Sequence, residues 1–550
     1  MPLLAPAYGA SEPRLKFSVK ICRTCFIFPG FWHYTAMAIV TALAEEGAGR
    51  RKLQLSSPVT LKEIGKIEVQ NEQDIGAALE RARVAQKAWA KVAPQERAKV
   101  LERALQILID KHEDYIDVFV EESGKIPIEA LMIEIYAACD TLHFCATRGP
   151  KLLAPRKKKL HGIFQILKKL RINYHPLGVV AVISPWNGPF ILSLGPVVQA
   201  LMAGNAALLK PSEVTPRSGA LVGDLFEEAG LPEGLLTVLH GDGETGAALV
   251  NAGVDKVRFT GSVRTGKKVA EACAGRLIPC ALELGGKDPM IVCGDADLEL
   301  AAGGAVAGSL FNAGQYCCGT ERIYVVESVA DRFINMVVER VKTLRVGNTG
   351  ESDIGAINWT NQMDIIERHV KDAVDKGATV LTGGKRCPNV DGLYYEPTVL
   401  TNVDHDMAVM TEETFGPIIP IVRVRDEEEA LRMANDSQYG LSANVWSNDE
   451  VKAVDIATRI ESGSVCVNDM AMAYGIMEAP FGGRKLSGLG QVHGDEGLRA
   501  YTFAQSIVID RFGGKPTKEQ YFPYTAKKYS DVQKAMKFVW GTRVGRWFSS

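Results

Sequence analysis

The sequence carries almost no net charge. Its 550 residues include 63 Lys and Arg against 65 Asp and Glu, which gives a formal charge of −2. Proteins whose main partner is nucleic acid are usually basic, so this balance argues against such a function. With 46% hydrophobic residues, the composition is that of a globular protein large enough for several packed cores.

Cysteines show no repeating framework. Their number, 11, is odd, and their scatter favours reduced thiols in a reducing compartment, so we predict a cytoplasmic protein. Cys22 and Cys25 form a C-x-x-C pair, but no second pair or histidine cluster stands at zinc-binding spacing. We therefore predict no metal site.

One N-terminal stretch lacks charged residues altogether. No Asp, Glu, Lys or Arg occurs from Thr24 to Ala44, and Lys16, Lys20 and Arg23 precede it. About twenty apolar residues with flanking charge suffice to span a bilayer, so a membrane-associated protein is the alternative localisation. A second interpretation is that Met37 is the true start of the chain.

Patterns typical of helices and strands begin near Leu53 and are of two kinds. A strand-like run, Ile64–Val69, leads to Asn71, a good helix cap, and then to an Ala-rich helix through Trp89. From Leu177, short buried apolar runs alternate with helices, and the pattern repeats after Leu284. Such alternation predicts two α/β domains with parallel sheets in tandem.

Two segments combine basic and apolar residues. Residues 151–175 contain Arg156–Lys159, Lys168, Lys169 and Arg171 among Leu, Ile and Phe, which indicates a solvated arm or hairpin or, alternatively, attraction to anionic lipid. The tail after Arg511 places Trp540 among lysines and arginines. It is either a packed C-terminal arm, which we favour, or a membrane-surface element.

Two glycine-rich turns are candidates for phosphate binding. Gly241–Gly246 matches G-x-G-x-x-G, but Asp242 and Glu244 would repel a pyrophosphate, so a plain strand-to-helix turn is favoured. Phe259–Lys268 is the better candidate, because it follows a strand and opens a helix. Lys210–Glu213 offers a carboxylate for a ribose diol, which favours NAD over NADP.

Two further sites contain candidate catalytic side chains. Glu283 lies in an apolar, Gly-rich turn, where burial would raise its pKa toward that of a general base, although a helix-capping role is equally open. The helix-like run Phe311–Arg322 ends in adjacent thiols, Cys317 and Cys318. A vicinal pair strains a disulfide, so the question is whether either thiol is reactive.

Seven motifs in order resemble the NAD(P)-dependent aldehyde dehydrogenase superfamily. The motifs are Pro185-Trp-Asn187, Lys210-Pro-Ser-Glu213, Phe259-Thr-Gly-Ser262, Leu282-Glu-Leu-Gly-Gly-Lys287, Gly314-Gln-Tyr-Cys317, Glu413-Thr-Phe-Gly-Pro417 and Pro480-Phe-Gly-Gly483. The resemblance as a whole covers about Leu53 to Asp510. The resemblance implies an α/β, aldehyde dehydrogenase-like fold with two Rossmann-type domains and a β-arm for oligomerisation.

The resemblance also implies a division of the chain. Residues 1–52 would be an N-terminal extension, with 24–44 the possible membrane segment, and 511–550 a basic, aromatic tail. The NAD-binding domain would comprise 53–152 and 176–283, the oligomerisation arm 153–175 and 499–510, and the catalytic domain 284–498. Homodimers or homotetramers are implied, although Gln491-Val492 replaces the family's usual Arg-Glu.

Carried over by resemblance, Cys317 is the nucleophile, Glu283 the general base and Asn187 the oxyanion donor, acting with the backbone N–H of Cys317. Cys318 is then a packing residue. The implied cofactor is NAD, and the implied cofactor-binding residues are Ser184, Pro185, Trp186, Lys210, Ser212, Glu213, Gly243, Phe259, Gly261, Ser262, Leu284, Glu413 and Phe415.

The substrate side is implied to be apolar. The tunnel residues would be Gly188, Ile191, Leu192, Tyr316, Met470, Met472, Tyr474 and Phe481. Such a lining suits long-chain, terpenoid or aromatic aldehydes, oxidised to the acid through a cysteine thiohemiacetal and thioester. Two alternatives stay open: a CoA-acylating relative, which commonly lacks the base, and a silent scaffold that keeps only the fold.

Overall fold

A computed structural model describes residues 50–162, 164–388, 390–515 and 521–549. The predictions for Cys22, Cys25, Met37 and the segment 24–44 lie outside these residues. In the part of the chain that is described, no helix has the length and apolar character needed to cross a bilayer.

The first large sheet has six strands. Neighbouring strands are parallel except at one edge, where the edge strand is antiparallel to its neighbour. In sheet order the strands are β19 (Gly488–Leu489), β9 (Cys280–Glu283), β8 (Lys256–Thr260), β5 (Val179–Ile183), β6 (Ala206–Lys210) and β7 (Leu236–Val238). The associated helices are α1 (Glu72–Trp89), α2 (Pro94–Asp110), α3 (His112–Ser123), α4 (Pro127–Glu129), a π-helical stretch Ala130–Tyr136, α5 (Ala137–Leu152), α7 (Ile191–Met202), α8 (Pro216–Glu228), α9 (Gly243–Asn251) and α10 (Val263–Arg276).

The second large sheet has seven strands and is parallel except at one edge strand. In sheet order they are β12 (Thr379–Thr382), β13 (Thr398–Thr401), β14 (Ile418–Val424), β11 (Thr320–Val326), β10 (Asp288–Val292), β16 (Asn444–Trp446) and β17 (Cys466–Val467). Its helices are α11 (Leu298–Leu310), a 3-10 turn Phe311–Gly314, α12 (Glu327–Lys342), α13 (Thr360–Asp375), α14 (Ala408–Thr411), α15 (Glu427–Asn435), α16 (Glu450–Arg459) and α17 (Met472–Gly475). The later helix α18 (Gly494–Arg499) packs on α5 and α7 of the first sheet.

Three small sheets complete the described residues. They are β1 (Lys52–Ser56) with β2 (Glu63–Glu68), β15 (Tyr439–Gly440) with β18 (Arg484–Lys485), and a three-stranded arm of β3 (Arg156–Lys158), β4 (Lys168–Pro176) and β20 (Thr502–Asp510). The helix α6 (Phe164–Leu167) lies at the turn between β3 and β4. Beyond the end of α5, the segment 151–175 therefore contains a hairpin of the exposed strand β3 and the partly exposed strand β4, as its basic composition predicts.

Each large sheet is the centre of its own apolar core. Strands buried on both faces, such as β5 and β6, read as continuous apolar runs because helices cover both sides of the sheet. The predicted α/β class with two parallel sheets is confirmed. The predicted domain boundaries stay a prediction.

Short-range sequence patterns predicted some helix boundaries correctly and one helix-like segment incorrectly. The Asn71 side chain accepts hydrogen bonds from the backbone N–H groups of Gln73 and Asp74, and the Asp74 carboxylate accepts one from the Asn71 N–H. This capping box starts α1, which ends at Trp89 as predicted. The helix-like interpretation of Phe311–Arg322 is wrong, because Asn312 and Ala313 adopt left-handed φ angles of 54° that end helical geometry.

The C-terminal tail is not packed in the way that we favoured. Its described part forms the helices Ala526–Gly541 and Arg543–Ser549, and the longer helix has no buried residue. Trp540 is 62% exposed.

Candidate active site

The predicted site residues of the first sheet follow the carboxyl ends of neighbouring strands. Ser184–Asn187 follow β5, the segment from Pro211 to Glu213 follows β6, and Gly261 and Ser262 follow β8. Glu283 is the last residue of β9. These strands are parallel, so their carboxyl ends meet at one edge, which is where ligands bind in open α/β sheets.

A strained turn presents the two cysteines. Gly314 has a φ of 73°, and a Cβ added there would lie 2.0 Å from the Gly416 carbonyl oxygen, so only glycine fits. The Gln315 side chain fixes the following residues: its amide donates to the Asn312 and Ala356 carbonyl oxygens at 3.0 and 3.2 Å. Its own oxygen accepts from the Asn358 N–H at 2.8 Å. The turn is thus anchored immediately before Cys317.

The two thiols have different surroundings. Cys317 is partly exposed, whereas Cys318 is 4% exposed and packs with Leu441, Phe481 and Val492. Burial, followed by contact with Cys317, holds the pKa of the Cys318 thiol well above its usual range. A thiol must ionise to act as a nucleophile, so Cys317 is the better placed of the pair.

Asn187 is held from both ends. Its side-chain amide donates to the Gln315 carbonyl oxygen at 3.2 Å. Its own carbonyl oxygen accepts from Lys125 Nζ at 2.6 Å and from Asn312 Nδ2 at 3.1 Å. This double attachment fixes the amide beside the segment that carries Cys317.

Lys125 is itself part of a buried network. Its ammonium lies 3.4 Å from the Glu134 carboxylate, and neither side chain is more than 2% exposed. Glu134 also accepts from the N–H groups of Phe190 and Ile191 at 3.1 and 2.9 Å, at the start of α7. Burial raises the pKa of Glu134, and the adjacent Lys125 opposes that rise.

Glu283 is a buried carboxyl group without hydrogen bonds from the described residues. It is 5% exposed, and neither carboxylate oxygen has a hydrogen-bond partner there. Burial raises its pKa to about 7, while the nearby Arg258 acts in the opposite direction. Arg258 Nη1 lies 3.9 Å from Glu283 Oε1, and Arg258 is 3% exposed. Glu283 can therefore exchange a proton near neutral pH.

The hydroxyl of Tyr474 indicates that these groups converge. Burial is the main cause of its raised pKa, and Cys317, Arg258 and Glu283 all act on it electrostatically. Cys317 and Tyr474 also pack against the same apolar cluster, which includes Cys318 and Phe481. Its ring also packs on Phe481, with 5.1 Å between centroids.

The Lys210 ammonium lies between two turns. It donates to the Pro211 and Gly241 carbonyl oxygens at 2.9 and 2.7 Å and lies 3.4 Å from the Glu213 carboxylate. Lys210 and Ser212 are buried, whereas the Glu213 side chain is 32% exposed. A carboxylate so placed is available to two hydroxyl groups of a ligand.

The G-x-G-x-x-G sequence is a strand-to-helix turn. Asp242 caps α9 by accepting from the Glu244 N–H, and its carboxylate pairs with Arg51 at 2.6 Å. Gly243, the first residue of α9, has open space around the position of a Cβ. Its role as a cofactor contact stays a prediction.

A second turn opens α10. The Ser262 side chain accepts from the Thr265 N–H and caps this helix. A Cβ on Gly261 would lie 2.7 Å from the Phe259 ring, and one on Gly266 would lie 2.5 Å from Leu284 Cδ2. The turn is close-packed on its inner side, and the free N–H groups of the first helical turn are oriented as anion binding requires.

Residues from the two sheets meet near Cys317. The Gly286 N–H donates to Glu413 Oε1 at 3.0 Å, and a Cβ on Gly286 would lie 2.7 Å from the Cys317 carbonyl oxygen. Burial raises the pKa of Glu413 to about 8. The Trp186 ring packs edge-on against Phe415, with 5.3 Å between centroids. Pro185 precedes Trp186, while the Ser184 hydroxyl is bonded to that of Ser193 at 2.6 Å.

The predicted tunnel residues fall into two groups. Leu192, Tyr316, Met470 and Tyr474 are partly exposed and Met472 is exposed, whereas Gly188, Ile191 and Phe481 are buried. Around them, the Phe311 and Tyr316 rings pack edge to face at 5.7 Å. The tunnel itself stays a prediction, but the surroundings of Cys317 are aromatic and apolar.

Comparison with known proteins identifies the family. The Aldehyde dehydrogenase family model matches residues 45–507. The chain belongs to the aldehyde dehydrogenase family. It is therefore an oxidoreductase that acts on aldehydes.

Three proteins similar to this aldehyde dehydrogenase differ in the aldehyde or the cofactor that they are named for. A 4,4'-diapolycopene aldehyde oxidase from Methylomonas sp is 39% identical over 88% of this chain and 91% of its own length. A protein from Mycolicibacterium smegmatis, provisionally named succinate-semialdehyde dehydrogenase [NADP(+)], is 39% identical over 85% of this chain and 90% of its own. The crystal structure of a Mycobacterium tuberculosis aldehyde dehydrogenase complexed with NAD+ is 32% identical, with a TM-score of 0.79 over 83% of this chain and 94% of the other.

Three polar side chains of this aldehyde dehydrogenase were not predicted. Arg258 stands beside Glu283, Lys125 holds Asn187, and His493 packs its ring on Tyr474 at 4.8 Å between centroids. Burial and the nearby Arg258 lower the pKa of His493 to about 4. The basic residues Lys256 and Arg258 in the short strand β8 were a usable signal for Arg258, whereas no spacing pattern marked Lys125 or His493.

Proposed function

We propose that this enzyme oxidises an apolar aldehyde to the carboxylic acid with NAD, using Cys317, Asn187 and Glu283. One observation carries the proposal. The partly exposed Cys317 thiol stands on an anchored turn, and the buried Glu283 carboxyl group, with a pKa of about 7, precedes the Gly285–Gly286 turn, which packs on the Cys317 carbonyl oxygen. This combination of nucleophile and base suits formation and hydrolysis of a thioester.

Each residue has a defined step. The Cys317 thiolate adds to the aldehyde carbon, and the new C–S bond leaves the carbonyl oxygen negatively charged. The Asn187 amide and the Cys317 N–H donate hydrogen bonds to that oxygen. NAD, when bound, accepts the hydride lost in this oxidation. Glu283 then removes a proton from water, whose oxygen attacks the resulting thioester and releases the acid and the Cys317 thiol.

The residues present fit such a cofactor. The Glu213 carboxylate is open to a ribose diol and would repel a 2′-phosphate, which supports NAD over NADP. At the other end, the Glu413 carboxylate faces the Gly285–Gly286 turn next to Cys317. One relative is named for NADP(+) and another was crystallised with NAD+, so the two nucleotides must be compared directly.

An apolar substrate is supported by the side chains around Cys317. Tyr316 and Tyr474 pack with Cys317 on one apolar cluster and offer aromatic surface, and the predicted tunnel residue Met470 is partly exposed. A substrate that carries a carboxylate would require a cationic side chain to bind that group. Arg258 does not meet this requirement, because it is buried and lies beside the Glu283 carboxylate. The relative named for 4,4'-diapolycopene aldehyde agrees with this proposal better than the one named for succinate semialdehyde.

The assembly and location are part of the same proposal. The exposed apolar side chains of β20, Phe503, Val508 and Ile509, would pair with a second copy in a homodimer or homotetramer. All nine described cysteines are free thiols, which supports a reducing, cytoplasmic environment.

The test is the formation of reduced nicotinamide, followed by absorbance, with NAD or NADP and straight-chain and aromatic aldehydes of increasing size. We expect turnover with NAD, no requirement for CoA, and kcat/KM rising with apolar size. Turnover that requires CoA would establish the acylating alternative. Absence of turnover with every aldehyde would favour the scaffold.

A further inference from the structure

The tail helix Ala526–Gly541 has an uncovered apolar stripe. Tyr529, Val532, Met536 and Trp540 recur at helical spacing and are 73%, 63%, 49% and 62% exposed. At 100° per residue these four positions span an arc of about 80° on one side of the helix. Burial of such surface normally accompanies folding, so an exposed stripe of this length indicates an interaction site.

Apart from this stripe, the tail helix and the residues next to it carry mostly positive charge. From 521 to 549 there are six basic residues and one acidic residue, Asp531. Lys527 and Lys534 project from the side opposite the stripe, and Lys537 flanks it. In the described chain, no carboxylate lies within ion-pair distance of these three lysines. Their charge is therefore available to an anionic partner.

The hairpin turn of the arm lies close to the start of the tail. The Arg511 N–H donates to the Leu167 carbonyl oxygen at 2.9 Å, and Arg511 Nε donates to the Lys168 carbonyl oxygen at 3.0 Å. On this turn Phe164 and Ile166 are each 57% exposed. The exposed, basic strand Arg156–Lys158 leads into it. The arm turn thus repeats the combination of basic and apolar residues found in the tail.

We infer that the tail helix, together with the arm turn, binds the surface of an anionic lipid bilayer, with the stripe at the level of the headgroups. Helices with an apolar stripe, interfacial aromatic residues and a basic opposite face bind in this way, and each nearby Lys or Arg adds attraction to anionic lipid. A second copy of the same surface fits less well, because it would pair two segments that each carry six basic residues and one acidic residue.

The experiment uses the full chain and vesicles of phosphatidylcholine alone or mixed equally with phosphatidylserine. Binding is measured by sedimentation with the vesicles. We expect binding to the mixed vesicles that weakens as salt increases, and much less binding to phosphatidylcholine alone. The triple variant Lys527→Glu, Lys534→Glu, Lys537→Glu should bind the mixed vesicles about tenfold more weakly or worse.

A matched pair of variants tests the stripe itself. Trp540→Ser removes an aromatic ring from the stripe, whereas Phe538→Ser removes one that is 55% exposed on the opposite side of the same helix. We expect the first variant to lose binding and the second to keep it. Oxidation of a water-soluble aldehyde should be unchanged in both, because both side chains are exposed on the tail helix and neither is among the residues assigned to the active site.

Four results would overturn the inference. They are no binding of the unaltered chain to mixed vesicles, equal losses for Trp540→Ser and Phe538→Ser, undiminished binding by the triple variant, and a change of oligomer mass in light scattering without a change in lipid binding. Undiminished binding would assign lipid attachment to another segment, such as 24–44. A change of mass alone would show that the stripe contacts a second copy.

Discussion

Replacing Arg258 with glutamine should move the pH dependence of thioester hydrolysis. The guanidinium lies 3.9 Å from the Glu283 carboxylate in a buried site, and its positive charge favours the ionised form of that carboxyl group. At this separation the Coulomb attraction is about 4 kcal/mol for an effective dielectric constant of roughly 20. That corresponds to about three pKa units as an upper bound, and single opposite charges typically shift a carboxyl pKa by about 1 to 3 units.

The sign of the effect follows from the role of Glu283 as a base. Only the carboxylate can accept a proton from water, so hydrolysis falls as the pH drops through the pKa of Glu283, which is about 7. Without Arg258 the neutral form is favoured and this pKa rises. At pH 7 a rise of one unit lowers the ionised fraction about fivefold, since one unit is 1.36 kcal/mol.

The assay is stopped-flow measurement of reduced nicotinamide in the first turnover and in the steady state, from pH 5.5 to 10 (about the range that brackets such shifts). The first-turnover amplitude should persist, while the acid limb of the steady-state rate moves to higher pH. Lys256→Gln is the matched control, because Lys256 is a buried cation on the same face of β8 whose ammonium lies over the Tyr501 ring. An unmoved acid limb in Arg258→Gln, or an equal shift in Lys256→Gln, would refute the reasoning.

Three further variants test other parts of the site. Asn187→Ala should lower kcat by about 10² to 10³ with little change in KM, because an oxyanion donor acts only in the transition state; a change confined to KM would contradict this. Lys125→Met should lower the free energy of unfolding by about 3 to 5 kcal/mol, measured with urea, because Glu134 keeps a buried charge without its partner; a loss below about 1 kcal/mol would contradict the pairing. Gly188→Phe should raise KM for large aldehydes more than for small ones, because even a Cβ there meets Leu192 Cδ1 at 3.1 Å; equal effects across aldehyde size would remove Gly188 from the tunnel.

Local chemistry explains which features could be predicted from the sequence. The cap at Asn71 and the buried strand β5 depend on residues close together in the chain, so spacing and hydrophobicity identify them. The burial of Glu283 was foreseeable for the same reason, since apolar and glycine residues surround it in the sequence. The family motifs then related Cys317 and Asn187 to it across the chain.

Contacts between distant elements could not be predicted in this way. Lys125 and Asn187 are 62 positions apart in the sequence. No periodic pattern connects a lysine just after α3 with the turn that follows β5. The left-handed angles of Asn312 and Ala313 depend on packing of the whole turn, which overrides a helix-like composition. Aromatic residues in the tail suggested packing, but composition alone does not say whether the covering surface belongs to the same chain.

The central claim is that Cys317, rather than Cys318, carries the acyl group. Glu283→Gln removes the base, so the thioester should accumulate when this variant is mixed with aldehyde and NAD. Peptide mass spectrometry after acid quenching then locates the acyl group. We predict an adduct on Cys317, whose thiol is partly exposed, and none on the buried Cys318. An acyl group on Cys318, or formation of reduced nicotinamide without any acylated cysteine, would contradict the account.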